Sequence, residues 1–175
     1  MASPRISVFE SKELQGVILA LKGMDKEIAK QIRKQTKDVV LPVWQDSVAE
    51  TISMGLGTRL ESRAFGNTAR VAVSNQNITL SVASVGKPLS GGLNPRTQAH
   101  VVEFGADRSK TVSYEARSTR GKNYTVNKRR TRAMLRPKNK TGYVFYPTVK
   151  TVIPRIAALW IQTTVRTFHE ALEKR

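Results

Sequence analysis

Between Arg108 and Lys140 the chain carries 12 lysines and arginines against a single acid, Glu115, a net +11 in 33 residues. Charge of one sign at that density cannot be buried, and the apolar residues among it are too few to build a core. Any core must come from the two flanks. The segment is expected to leave it as an extended or mobile arm, and a chain of 175 residues with a net charge of +17 is expected to form one domain, 1–175, with that arm at 108–140. An imbalance of this size points to an anionic neighbour.

Composition removes several classes of chemistry. There is no cysteine, so no disulfide, thiolate nucleophile or cysteine-based metal site is available. His100 and His169 are the only histidines, and the fold would have to bring them together to make a metal pair. No metal site, no cofactor and no catalytic residue is expected. Phosphate-loop, dinucleotide, nucleophile-elbow and HExxH patterns are all missing, and the acids are scattered rather than paired. The stretch Met1 to Phe9 lacks the basic and then apolar pattern of an export signal, and no run approaches the ~18 apolar residues of a membrane span. A soluble protein that stays where it is made is the expectation, with no membrane contact.

The amino-terminal flank reads as helix. From Ser11 to Met54, Leu14, Ile18, Leu21, Ile28, Ile32, Val39, Val43, Trp44, Val48 and Ile52 recur at threes and fours, one stripe of a helical surface. Ser11 is the expected N-cap, Gly23 is expected to divide a short helix from a longer one, and Pro42 to kink or break the second just before itself. Lys26, Lys30, Arg33, Lys34 and Lys37, with Asp25, Glu27 and Asp38 among them, read as a solvated face.

The period then changes. Val71 and Val73, and after the turn residues Ser74 to Asn77 the alternating Ile78, Leu80 and Val82, predict a β-hairpin over 68–85. A loop follows over 87–95, and the apolar patch His100 to Gly105 is too short to assign to helix or strand. Tyr143 to Tyr146 has strand-like composition. Ile153, Ile156, Ala157, Trp160, Ile161, Val165, Phe168 and Leu172 predict a long closing helix, with Thr151 as N-cap and Pro154 in its first turn. The class is α+β: amino-terminal amphipathic helices, a central antiparallel hairpin or sheet, a long basic loop and a carboxy-terminal amphipathic helix.

Within the arm, Arg117, Arg120, Lys122, Lys128, Arg129, Arg130, Arg132 and Arg136 are the candidate contacts to phosphate or to an acidic protein surface. A solubilising loop without a partner is the third reading. Tyr114 and Tyr124 interleave with the basic residues and suit stacking on bases or packing on the domain. Without zinc-finger spacing or an aromatic RNA-binding signature, sequence-specific recognition is not expected. Glu103, between Val102 and Phe104, is the one acid that looks placed; it needs only an arginine or backbone amides to be a structural carboxylate, whereas catalysis would need a partner group that the sequence does not offer.

The order of these parts is similar to that of the neck or tail-completion proteins of long-tailed phages, the relatives of the lambda minor tail protein Z. Glu13 to Val17 and Ala20-Leu21 in the first helical region, the hairpin, Val102-Glu103-Phe104-Gly105, a variable loop, and Tyr146-Pro147 leading into the last helix carry the resemblance over residues 11–106 and 142–172. Val102 to Gly105 resembles a recurrent segment of that family, which usually continues with Thr where this chain has Ala106. Val144 to Pro147 stands where relatives often carry an Arg-Pro-rich run, a second departure. The resemblance implies a structural protein rather than an enzyme, a head-to-tail connector subunit of the virion assembled in the host cytoplasm. It implies partners too: copies of itself in a ring, a hexamer by preference, and the adjoining neck and tail proteins, with non-specific DNA contact in the channel. A tail terminator is the nearer alternative, and a non-specific nucleic-acid-binding protein the more distant one.

Overall fold

The computed structural model describes residues 5–7, 12–55, 57–84, 86–129 and 135–173. Its frame is a pair of 29-residue helices, α2 (Lys26–Met54) and α5 (Phe145–Glu173), each about 43 Å long at ~1.5 Å per residue. They run antiparallel, because the Thr148 hydroxyl donates to that of Thr51 at 2.7 Å near one end while Thr167 donates to Gln35 towards the other. The repeat predicted from the sequence builds the middle of this pairing, but Val39 of the expected α2 stripe and Val165, Phe168 and Leu172 of the expected α5 stripe are exposed, and Val40 is buried in place of Val39. Val40, Trp44, Val48 and Ile52 recur every fourth residue and are buried against Phe145, Val149, Val152, Ile156 and Trp160. The rings of Trp44 and Phe145 meet edge to face at 5.8 Å.

The shorter α1 (Lys12–Gly23) ends at the predicted glycine, and Asp25 caps α2 by accepting from the Glu27 amide at 2.8 Å. Ser11 lies outside the described residues. Contrary to expectation, α2 passes through Pro42 as one helix. Pro42 and Asp38 are both exposed, so the proline ring and the loss of one helix hydrogen bond fall on the solvent side.

Beside α2 lies a three-stranded antiparallel sheet in the order β1 (Arg5–Ser7), β3 (Ile78–Ser81), β2 (Arg70–Val73). The predicted hairpin is its β2–β3 half, with Val71 opposite Leu80 and both buried. Trp44 ties helix to sheet, its Nε1 donating to the Ser81 carbonyl at 3.2 Å. The glycine-punctuated stretch before β2 contains α3 (Arg59–Ala64), opened by a capping box between Thr58 and Glu61, and a short 3-10 turn at Gly66–Thr68.

The carboxy-terminal half settles one assignment left open by the sequence and moves the start of the last helix. His100 to Phe104 belongs to α4 (Pro95–Phe104), which starts with Asn94 as cap and Pro95 in its first turn. Tyr143 to Tyr146 is not a strand, since α5 begins at Phe145. Thr151 and Pro154 therefore lie inside α5, not at its start, and Thr151 turns its hydroxyl back to the Thr148 carbonyl at 2.9 Å. The helix begins early because Glu103 supplies its cap. The basic segment, finally, contains an ordered antiparallel ribbon, β4 (Thr111–Arg117) and β5 (Asn123–Arg129), paired in register from Thr111–Arg129 to Arg117–Asn123. The class is α+β.

Candidate interaction site

The four residues of the Val102–Gly105 segment each have a structural task. Val102 is buried in the core, and Glu103 is wholly buried at the start of α5. Its Oε2 accepts from the amides of Val144 at 3.2 Å and Phe145 at 2.9 Å, and its Oε1 from that of Tyr146 at 3.1 Å. Those are amides that the first turn of a helix leaves without internal acceptors, so a residue of α4 caps α5 from 42 positions upstream of Phe145. Burial pushes the Glu103 carboxyl above its ordinary value, and the backbone amides of Phe145, Tyr146, Val144 and Tyr143 oppose the shift without cancelling it. Phe104 packs on Tyr146 with ring centroids 5.5 Å apart. Gly105 has φ of 68°, and a Cβ there would stand 2.1 Å from the Pro137 carbonyl oxygen. Gly142 is held by the same knot, its absent Cβ 2.2 Å from Glu103 Oε1. This is the structural carboxylate anticipated from the sequence, satisfied by backbone amides.

The same knot closes the root of the ribbon. The Ala106 amide donates to the Arg136 carbonyl at 2.9 Å, that of Asn139 to Phe104 at 2.8 Å and that of Tyr143 to Glu103 at 3.0 Å. Arg136, expected among the outward basic contacts, is turned inward. Its Nε lies 2.7 Å from Glu61 Oε1, and Nη2 donates to Glu61 Oε2 at 2.9 Å and to the Gly55 carbonyl at 2.8 Å. Its guanidinium also covers the Tyr143 ring at 4.8 Å. Buried Glu61 needs this countercharge, which removes Arg136 from the set facing outward. The signal was its separation from the Lys128–Arg132 run by an apolar stretch.

Arg117, Arg120, Lys122 and Lys128 are exposed on the ribbon. Arg129 closes β5 by its backbone, while Arg130 and Arg132 lie outside the described residues. Strand alternation sorts the ribbon into two faces. Thr111, Ser113, Glu115, Arg117, Asn123, Thr125 and Asn127 make the polar one; Val112, Tyr114, Ala116, Tyr124, Val126 and Lys128 make the other. The second face is apolar and half open, with Val112 39%, Tyr114 44% and Tyr124 52% exposed. Lys128 rests its ammonium over the Tyr114 ring at 5.0 Å. Sequence reading missed this face because charge hid a plain alternation, Val112-Tyr114-Ala116 and Tyr124-Val126, about the turn Ser118–Lys122.

An apolar groove opens elsewhere, lined by Phe104, Tyr146, Pro147, Val149 and Ile153 and flanked by Lys140 and Lys150. Among the described residues no three His, Cys, Asp or Glu side chains gather to hold a metal, and no helix is long and apolar enough to cross a membrane. No family model matches the chain, and no curated protein or solved structure matches it.

Proposed function

We infer that the chain is a structural subunit of a tailed-phage neck or tail, a head-to-tail connector or tail-completion protein that acts by assembling into a ring. The observation that carries this reading is the ribbon. A two-stranded hairpin is marginal on its own in water, and this one keeps an apolar face half exposed beyond a well-packed body. A body with a projecting ribbon suits a repeated head-to-tail contact, and such a contact closes into a ring when its rotation divides a full turn. The phage assignment, the preference for a hexamer and the place in the virion rest on the resemblance of the motif order around Val102–Gly105 to the neck and tail-completion proteins. The function so assigned is assembly, with no reaction attached.

A second reading has its own support. Tyr114 and Tyr124 share a face with Lys128, an arrangement that also suits single-stranded nucleic acid stacked on aromatic rings. Light scattering after size exclusion, with and without a short DNA duplex or single strand at physiological salt, separates the two. A ring-sized mass unchanged by DNA supports the connector; a stable monomer whose DNA affinity falls steeply with salt replaces it with the nucleic-acid reading.

A further inference from the structure

The ribbon's open face has an opposite number on the chain itself. From Asp38 to Thr58 there is no lysine or arginine, the longest such stretch in a chain of net charge +17, and it holds three acids, Asp38, Asp46 and Glu50. The exposed residues Val39, Pro42, Asp46, Ala49, Glu50 and Ser53 share one face of α2, each three or four positions from another, on the side away from Val40, Trp44 and Val48. Among the described residues none of the three acids meets a lysine or arginine within ion-pair distance. Pro42 has no hydrogen for the Asp38 carbonyl, so the same face lacks one of the helix's usual amide-to-carbonyl bonds. Exposed apolar surface accompanies the acids, Val39 at 41% and Met54 at 77%.

We propose that the β4–β5 ribbon of one copy docks, apolar face down, on this acidic face of α2 in a second copy. The proposal rests on the assembly reading above and names the surfaces through which the copies meet. Charge selects the place. Lys110 and Lys128 near the root and Arg120 and Lys122 at the tip rim the ribbon with cations, matching the acids of α2. The apolar groove at Phe104 and Ile153 is flanked by Lys140 and Lys150 and repels the same rim. Length agrees as well: seven paired residues span roughly 20 Å at ~3.4 Å each, and Val39 to Ser53 spans roughly 21 Å at ~1.5 Å per residue. Ribbon and helix are different surfaces, so the contact is head to tail and leaves each copy one donor and one acceptor for the next.

Charge exchange tests it. One variant carries Asp46→Lys and Glu50→Lys, the other Arg120→Glu, Lys122→Glu and Lys128→Glu; all five positions are exposed, so both are expected to keep the cooperative unfolding of the wild type. Wild type is expected to gain mass with concentration and to lose it with salt. Each variant alone is expected to self-associate on the order of a hundredfold more weakly, and an equimolar mixture to regain a complex in which the reversed ribbon sits on the reversed helix. If wild type assembles and both variants assemble equally well, these surfaces are the wrong ones although the ring reading stands. A wild-type monomer at every concentration overturns the self-contact, and tight salt-sensitive DNA binding by that monomer overturns the ring reading with it.

Discussion

At Gly105 the backbone leaves α4 with φ of 68° and ψ of −168°, a conformation open to glycine and strained for residues with a Cβ. The Pro137 carbonyl oxygen, 2.1 Å from where a methyl would sit, adds a collision with backbone that cannot swing away. Gly105→Ala is expected to lower the unfolding free energy by about 2–4 kcal/mol in urea denaturation, more than an alanine at exposed, open Gly92. Glu103 gives a second test with a defined sign. Its folded-state pKa lies above the ordinary 4.5, so the folded chain holds that proton longer than the unfolded chain. The stability this confers is complete below about pH 4.5 and is lost as pH climbs through the raised value. Glu103→Gln, neutral throughout, escapes the loss. The wild-type unfolding free energy minus that of the variant is therefore expected to fall as pH rises above 4.5. A difference that stayed constant would show that the carboxyl titrates alike in both states.

Arg136 joins the end of α2 to α3 and to the root of the ribbon, so its loss is felt between elements. Arg136→Ala leaves the Glu61 carboxylate, 2% exposed, without its countercharge and is expected to cost about 3 kcal/mol. Adding Glu61→Gln is expected to return part of that, because the neutral amide still accepts from Thr58, and a double-mutant cycle by urea denaturation reads the coupling. The ribbon behaves differently. Replacing 112–128 by an Asn-Gly turn joins two strand ends that already face each other, and is expected to leave the thermal unfolding of the body within a few degrees of wild type while abolishing self-association. A collapse of cooperative unfolding in that variant would make the ribbon part of the core.

Across the whole molecule, legibility followed the range of the forces involved. The alternation of β2 and β3 and the middle of the stripes on α2 and α5 are local periodicities, readable because each buries one face against the body, whereas Val39, Val165, Phe168 and Leu172 share the helical spacing and stay exposed. The start of α5 was misplaced by about two turns, with Thr151 expected as the cap of a helix that begins at Phe145, because its cap is Glu103, distant in sequence. The strand β1 was invisible, three residues given their conformation by pairing with β3. Glu103 itself could be singled out as a lone acid among apolar neighbours, but its partners were backbone amides, which carry no sequence signature. Arg136 was grouped by charge when its partner, 75 positions away, determines what it does.

The pairing of α2 with α5 also bears on how the chain comes off the ribosome. Gln35 and Thr167 meet across 132 positions, and Trp44 is covered only once Phe145 is in place. At ~5–20 residues per second, the hundred or so positions between Trp44 and Phe145 take several seconds to synthesise. Throughout that interval the Val40–Trp44–Val48–Ile52 ridge of the nascent chain lacks its natural cover. The sheet can form early, but the two-helix frame closes late, and a chain stalled before residue 145 presents an adhesive helix to chaperones or to its neighbours on the polysome.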